Sequence, residues 1–233
     1  MRIRDLLSAV PATPLRRSLY RAEGYHISIG ALLAAAMPSN SLRCAAYRTL
    51  GYRISDSRIG FGTLIDVEAA QIAGSVVGPL NRFHGPFSLF MDRMEVGAFN
   101  EFTCGDWAPE YACYKRYCRL HKGSLVTGNH LIDASGGFEL GEDSWIAGRG
   151  SQVWTHAGDD DPNNNDLAVT ISDHCFVGAG VLIGPGSCLA SRTTVSMGST
   201  VNRKFREPRC LIGGVPASVL QDDYDPPIWH STA

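Results

Sequence analysis

From residue 171 to residue 206 the chain reads ISDHCF, VGAGVL, IGPGSC, LASRTT, VSMGST and VNRKFR, six consecutive units of six residues. Each unit opens on an aliphatic side chain: Ile171, Val177, Ile183, Leu189, Val195 and Val201. The second position holds Ser172, Gly178, Gly184, Ala190, Ser196 and Asn202. The fifth holds Cys175, Val181, Ser187, Thr193 and Ser199, with Phe205 alone breaking the small-residue pattern. A period of six suits neither a helix nor a lone alternating strand, because it asks for a short strand and a tight corner in every unit. The first-position aliphatic points inward from a flat face, and the small fifth and second residues let the backbone turn without a clash. Three such faces close one triangular turn of about eighteen residues, and stacked turns share a single apolar core. The fold class is therefore all-β, a coiled sheet.

At 233 residues the chain has room for one repeat domain with extensions and for no second large globular domain. A formal charge of −2 and a pI near 6.4 give no general attraction to nucleic acid or to an anionic membrane. Seven cysteines, an odd number without a disulfide-like framework, suit a reducing cytoplasm. Cys113 and Cys118 have no second close pair to complete a zinc clip, and no metal is expected.

The N-terminus carries Arg2, Arg4, Arg16, Arg17 and Arg21, and Pro11 and Pro14 interrupt it before any sustained apolar run, unlike a signal peptide or spanning helix. The apolar stretch 27–37 is too short to cross a bilayer; it reads as a packed helix, with an interfacial helix and peripheral membrane contact as the alternative. Leu42, Ala45, Ala46 and Leu50 recur at helical spacing before Gly51, so this segment reads as a helix capping the first coil. Residues 1–52 are thus an arm and capping helix, and 53–220 the repeat domain. Register starts at Ile59 and Ile65, shifts by one to Ile72, runs through Gly78, His84 and Phe90, and recovers at Val96. Residues 103–124 lose it, and their aromatic and basic content marks an excursion that either contacts a neighbour or substrate or covers apolar core. Register returns at Leu125 and Leu131. A second excursion, 157–169, is acidic and turn-rich, but Asp159, Asp160 and Asp161 lack the glycine and terminal glutamate of a calcium loop. In the tail, 221–233, Pro226 and Pro227 preclude a regular helix, and Trp229 offers a docking side chain.

The hexads, followed by LIGGVPASVL, resemble the hexapeptide-repeat acyltransferases. The fold this implies is a left-handed parallel β-helix with an N-terminal helical cap. Acetyl-CoA-dependent members often leave the coil at a similar Gly-x-Pro-Ala segment. The stretch from Leu125 to Gly158 is similar to the active-site coil of the sugar O-/N-acetyltransferase type, in which an Asn and an acidic residue precede an Ile-Gly-acid hexad and a His follows about two hexads later. With LGEDSW at Leu140 and IAGRGS at Ile146, His156 matches the catalytic base. Its imidazole titrates near neutral pH, so it can take a proton from an attacking hydroxyl or amine and pass it towards the leaving thiolate. No covalent intermediate is needed, because holding both substrates together makes the attack effectively intramolecular. The resemblance implies acceptor-binding roles for Asn129 and Asp133. His130 lies outside the family pattern and reads as a second base, an acceptor ligand or a solvent-facing corner residue. Gln152 and Trp154 flank His156; Trp154 offers a platform for a sugar ring or else packs against core or a second subunit.

The same resemblance implies coenzyme A along the C-terminal coils, against Gly178, Ala179, Met197 and Gly198. Asn202, Arg203 and Lys204 stand where a Thr-Lys pair often meets the nucleotide. Arg203 and Lys204 supply positive charge for phosphates, whereas the Thr is absent and Phe176 stands where relatives often carry Trp. The expectation is a cytoplasmic homotrimer that acetylates a sugar, nucleotide-sugar or lipid-linked glycan in surface-polysaccharide biosynthesis, with O-acetylation favoured over N-acetylation. Two rivals use the same coil. One is a non-catalytic scaffold or assembly protein. The other is a zinc-dependent, carbonic-anhydrase-like enzyme, whose paired His-x4-His is missing here: His121, His130, His156 and His174 share no ligand spacing.

Overall fold

A computed structural model describes residues 27–156 and 167–226. The arginine-rich arm, Asp159, Asp160, Asp161, Pro227 and Trp229 lie outside the described residues. The chain enters through helix α1, Ile29–Ala35, whose N-cap Ser28 accepts the Ala31 N–H. Ser28 also donates its own N–H to the Asp66 carboxylate at 2.6 Å, which pins the helix start to the coil. Helix α2, Asn40–Thr49, is capped by Ser39. Its buried face consists of Arg43, Cys44 and Tyr47, while Leu42, expected to face inward, is half exposed. The reason lies in the open end of the solenoid, whose first rung has backbone groups with no earlier strand to pair them. Tyr47 donates its hydroxyl to the Thr63 carbonyl at 2.7 Å and accepts the Ile65 N–H at 3.1 Å, and the Arg43 Nε donates to the Ile59 carbonyl at 2.8 Å. Polar reach, rather than an aliphatic stripe, seats the cap.

Beyond the helices the chain is the expected coil, a β-helix of parallel rungs around one core. Three faces follow one another. The first begins with Arg53–Ser55, the second with Arg58–Ile59, and the third with the front half of Leu64–Ala73. Strands Leu64–Ala73 and Arg82–Asp92 bend across the edge between the third and first faces; the latter pairs with Glu101–Thr103 through its front half and with Tyr117–Leu120 through its back half. Parallel pairing stacks inward residues in files, and on the third face the file is Ile65, Phe83, Phe102, Ile132, Val153, Ile183 and Val201. All seven are buried. Phe83 and Phe102 stack with centroids 4.5 Å apart.

These files correct several register assignments. Val77, Phe83, Val126 and Ile132 point inward, one residue before or after Gly78, His84, Leu125 and Leu131, and Leu89 and Met91 do so on either side of Phe90. The apparent loss of pattern came from long strands that round a corner without a six-residue turn, with a bulge between Val67 and Ala69 absorbing the slip. Phe205 is likewise no fifth-position residue. It belongs to Lys204–Phe205, pairs with Leu189 and supplies a core side chain there, so the last hexad is contracted. The coil ends in an antiparallel hairpin of Leu211–Gly214 with Ala217–Gln221.

The edge between the second and third faces is held by a ladder of side chains, each accepting the backbone N–H of the next rung. Thr63 Oγ1 accepts from Asn81, Asn81 Oδ1 from Asn100, Asn100 Oδ1 from His130, His130 Nδ1 from Ser151, and Ser151 Oγ from Val181, at 2.9–3.2 Å. Asn100 also donates from Nδ2 to the Thr127 carbonyl at 2.9 Å. Replacing this buried residue by Ala strips partners from the His130 N–H and the Thr127 carbonyl. Asn100→Ala is therefore expected to destabilise the protein by about 2–4 kcal/mol in equilibrium denaturation; a loss under about 1 kcal/mol would show that the ladder does not hold the edge.

Candidate active site

The candidate site lies on the edge between the third and first faces. Here the chain leaves the coil after Glu101–Thr103 and rejoins it at Tyr117–Leu120; along the same edge Gln152–Val153 precedes Val169–Ile171, with most of the expected second excursion, 157–166, outside the described residues. The first excursion is shorter than the loss of hexad pattern implies, because Cys118 and Leu120 take the inward positions in register with Leu89 and Met91. The intervening rung, from Asp133 to Phe138, turns tightly through Ala134–Gly137. Glu101–Thr103 and Gln152–Val153 lie two rungs apart, about 10 Å along the coil.

Asp133 occupies the corner between them with its side chain 1% exposed. Its Oδ1 accepts from the Ser135 hydroxyl at 2.7 Å, and its Oδ2 accepts from the Thr155 N–H at 2.9 Å, from the Thr155 hydroxyl, and from His156 Nδ1 at 3.0 Å. Burial raises its pKa, but the hydrogen bonds from His156, Thr155 and Ser135 outweigh it and hold the carboxyl below the usual range. The His156 side chain is 32% exposed, and its hydrogen bond to Asp133 raises its pKa above 6.5 against a smaller effect of burial. Nδ1–H committed to Asp133 leaves the Nε2 lone pair of the neutral ring as the basic atom.

Aromatic rings surround this imidazole. The Trp154 ring lies 5.6 Å from it and the Trp107 ring 5.3 Å, both nearly perpendicular to it. Gln152 Oε1 accepts the Trp154 indole N–H at 3.1 Å. Trp107, which sequence reasoning did not single out, comes from the first excursion. That excursion is tied to the acid itself: the Gly105 N–H donates to Ser135 Oγ at 3.1 Å, and the Ser135 hydroxyl donates to Asp133.

Two expected acceptor ligands are corrected. Asp133 is buried with both oxygens engaged, so it has no face left for a substrate. His130 is 2% exposed; Nδ1 accepts the Ser151 N–H, Nε2–H donates to Thr127 Oγ1 at 3.0 Å, and burial lowers its pKa. It is a rung of the corner ladder rather than a base. Asn129 lies on that same edge between the second and third faces, exposed and at φ 57°, a backbone conformation Asn tolerates well. Gly178, Ala179, Met197 and Gly198 also stack there, with the Gly198 N–H donating to the Ala179 carbonyl at 2.9 Å. A Cβ at Gly178 would sit 2.8 Å from the Met197 nitrogen, so this glycine is needed for close approach of the rungs. Asn202, Arg203 and Lys204 instead share the edge of His156, where the Arg203 guanidinium lies 4.8 Å over the Phe205 ring. His121, His130, His156 and His174 are spread over all three edges. Among the described residues no group of three His, Cys, Asp or Glu side chains could hold a metal, and no helix is long and apolar enough to cross a membrane.

No family model and no curated protein matches the chain. Among solved structures it is similar to the polysialic acid O-acetyltransferase OatWY (20% identity, TM-score 0.45, covering 78% of this chain and 87% of that one). It is similar also to the polysialic acid-specific acetyltransferase NeuO (15%, 0.42, 74% and 82%). A third is the hexapeptide-repeat acetyltransferase VCA0836 of Vibrio cholerae in complex with acetyl coenzyme A (16%, 0.38, 92% and 93%). At these values the likeness says nothing of this chain's chemistry, which rests on its own residues.

The pairing of His156 with Asp133 has a direct pH signature. His156, with a raised pKa, contributes stability that is present below 6.5 and lost as pH rises through its folded value; Asp133, with a depressed one, contributes stability lost as pH falls through its own folded value. An NMR titration is expected to place the His156 imidazole above 6.5 in the wild type and lower in Asp133→Asn. Equal values in both proteins would mean that the carboxylate does not act on the ring.

Proposed function

We propose that the protein is an acetyltransferase that moves an acetyl group from acetyl-CoA to a sugar hydroxyl, with His156 as general base. One observation carries the reading: a solvent-reachable imidazole whose Nδ1–H is fixed by a buried carboxylate, on the edge where the first excursion leaves the coil. In the proposed reaction Nε2 takes the hydroxyl proton as the oxygen attacks the thioester carbonyl. The C–O bond forms, the tetrahedral intermediate collapses, the C–S bond breaks, and the proton on Nε2 passes to the thiolate, giving ester and free coenzyme A. Asp133 stabilises the imidazolium formed on the way without taking the proton, because its own pKa is depressed. The required base is neutral His156, so the rate should rise as pH passes upward through its folded pKa.

The donor is read along Gly178, Ala179, Met197 and Gly198, with Arg203 and Lys204 for its phosphates. Within one copy the first four residues occupy a different edge from His156, with the whole third face between them. A second copy that sets its second-to-third edge against the first copy's third-to-first edge would unite them, and a ring of such heterologous contacts closes as a homotrimer. Seven free cysteines suit work in the cytoplasm, and a nucleotide-linked or lipid-linked glycan for a surface polysaccharide is the acceptor envisaged.

Thermal unfolding tests the donor site. Acetyl-CoA and coenzyme A at about a hundred times their dissociation constants are expected to stabilise the fold by about 2.7 kcal/mol, with no comparable rise from adenosine nucleotides. No rise at millimolar acetyl-CoA would remove the transferase reading.

A further inference from the structure

The first excursion does more than cover core. Trp107 is 38% exposed, Tyr111 52% and Trp154 36%, although each ring is held by neighbours. The Trp107 indole lies over Gly105, where an added Cβ would come 2.4 Å from Nε1. The buried Tyr114 ring meets it edge-on at 4.7 Å, and Tyr111 lies 6.2 Å away from both. The Gln152 side chain steadies Trp154. Two indoles, one from each excursion-bearing rung, thus stand against the imidazole from different elements. They are large, fixed and partly open to solvent, so little conformational entropy is lost when a ligand settles on them.

We propose that Trp107, Tyr111 and Trp154 form the acceptor subsite and that it takes an uncharged pyranoside. The electron-rich face of an indole receives the C–H face of a pyranose ring, and a ring seated on either indole brings its hydroxyls to the His156 imidazole. Arg203 and Lys204 on this edge are read as serving the donor's phosphates, and within the excursion itself the exposed charge disfavours an acidic sugar. Asp106 and Glu110 are exposed on either side of Trp107 in the chain, with Lys115 farther along. The arginines at the return of the excursion are engaged, Arg116 with Glu68 at 2.8 Å and Arg119 with Glu139 at 3.7 Å, the Arg119 guanidinium also lying 4.2 Å over the Tyr117 ring. The subsite deepens the transferase reading and rests on it for the reaction, but the binding itself is separately measurable.

Saturation-transfer NMR on the full chain, with methyl β-glucopyranoside, methyl β-galactopyranoside, methyl N-acetyl-β-glucosaminide and a methyl sialoside as probes, tests it without turnover. At least one neutral glycoside is expected to receive saturation and the sialoside none. Trp107→Ala is expected to weaken the neutral glycoside at least about tenfold. Trp107→Phe should retain most of the binding, and the exposed Tyr111→Ala should weaken it less. Circular dichroism and a cooperative thermal transition, measured in parallel without ligand, report that each variant is folded. Absence of binding by every neutral glycoside, binding of the sialoside alone, or unchanged binding in a folded Trp107→Ala would overturn the proposal. Glycoside binding that depends on Trp107, without any response to coenzyme A, would leave the subsite standing and remove the transferase reading instead.

Discussion

The structure depends on backbone hydrogen bonding between parallel rungs, because that pairing decides which residues, far apart in sequence, share an edge. Within a rung the six-residue unit fixes a strand and a corner. Between rungs, corner side chains such as Asn81 and Asn100 accept the next rung's N–H and so keep polar backbone satisfied where the strands end. With the files of aliphatic residues locked inward, each corner becomes a fixed platform, and chain that leaves it must leave in a defined direction. Trp107 of the first excursion and Trp154 beside His156 are therefore brought together by the coil.

The same constraint explains why the hydrogen-bonded pair of Asp133 and His156 was only half legible. The C-terminal rungs repeat every eighteen residues, as Ile171 pairs with Leu189. Ile132, however, pairs with Val153, twenty-one residues on, because the corners at Ala134–Gly137 and around Gly148–Gly150 hold extra residues. Asp133 and Thr155 meet across that expanded rung, and His156 folds back to the carboxylate. The resemblance implied a substrate ligand at Asp133; burial and saturation of its oxygens make it the hydrogen-bond partner of His156 instead. His130 drew interest as a third titratable group, and only the corner ladder reveals it as a hydrogen-bonding rung. Trp107 was hidden for a different reason. Its excursion has no periodicity, so composition marked it as aromatic while nothing in the sequence gave its direction.

The fold itself was legible where local and global preferences agree, over residues 171–201, and least so where strands run through a corner. Leu64–Ala73 and Arg82–Asp92 are buried along most of their length and carry no hexad, so the period of six vanishes although the coil continues. The cap shows the complementary case. A helix was expected there, but its buried face was set by backbone groups of the first rung that need Tyr47 and Arg43, not by aliphatic spacing. In chemical terms, a coil of nearly identical corners acquires a distinct site where one corner buries a carboxylate and the rungs on either side extend aromatic chain over it.

The central claim is that His156, oriented by Asp133, is the base that moves an acetyl group from acetyl-CoA to a sugar hydroxyl. Its most direct test is the rate of coenzyme A thiol release from acetyl-CoA in the presence of sugar acceptors, compared between the wild type and His156→Ala, with the acetylated sugar identified by mass spectrometry. The account predicts sugar-dependent release that falls by about 10²–10⁴-fold in the variant, in line with loss of a general base. Acetylated product at an undiminished rate in His156→Ala, or no acetylated sugar from the wild type across nucleotide sugars, oligosaccharides and simple glycosides, would contradict it.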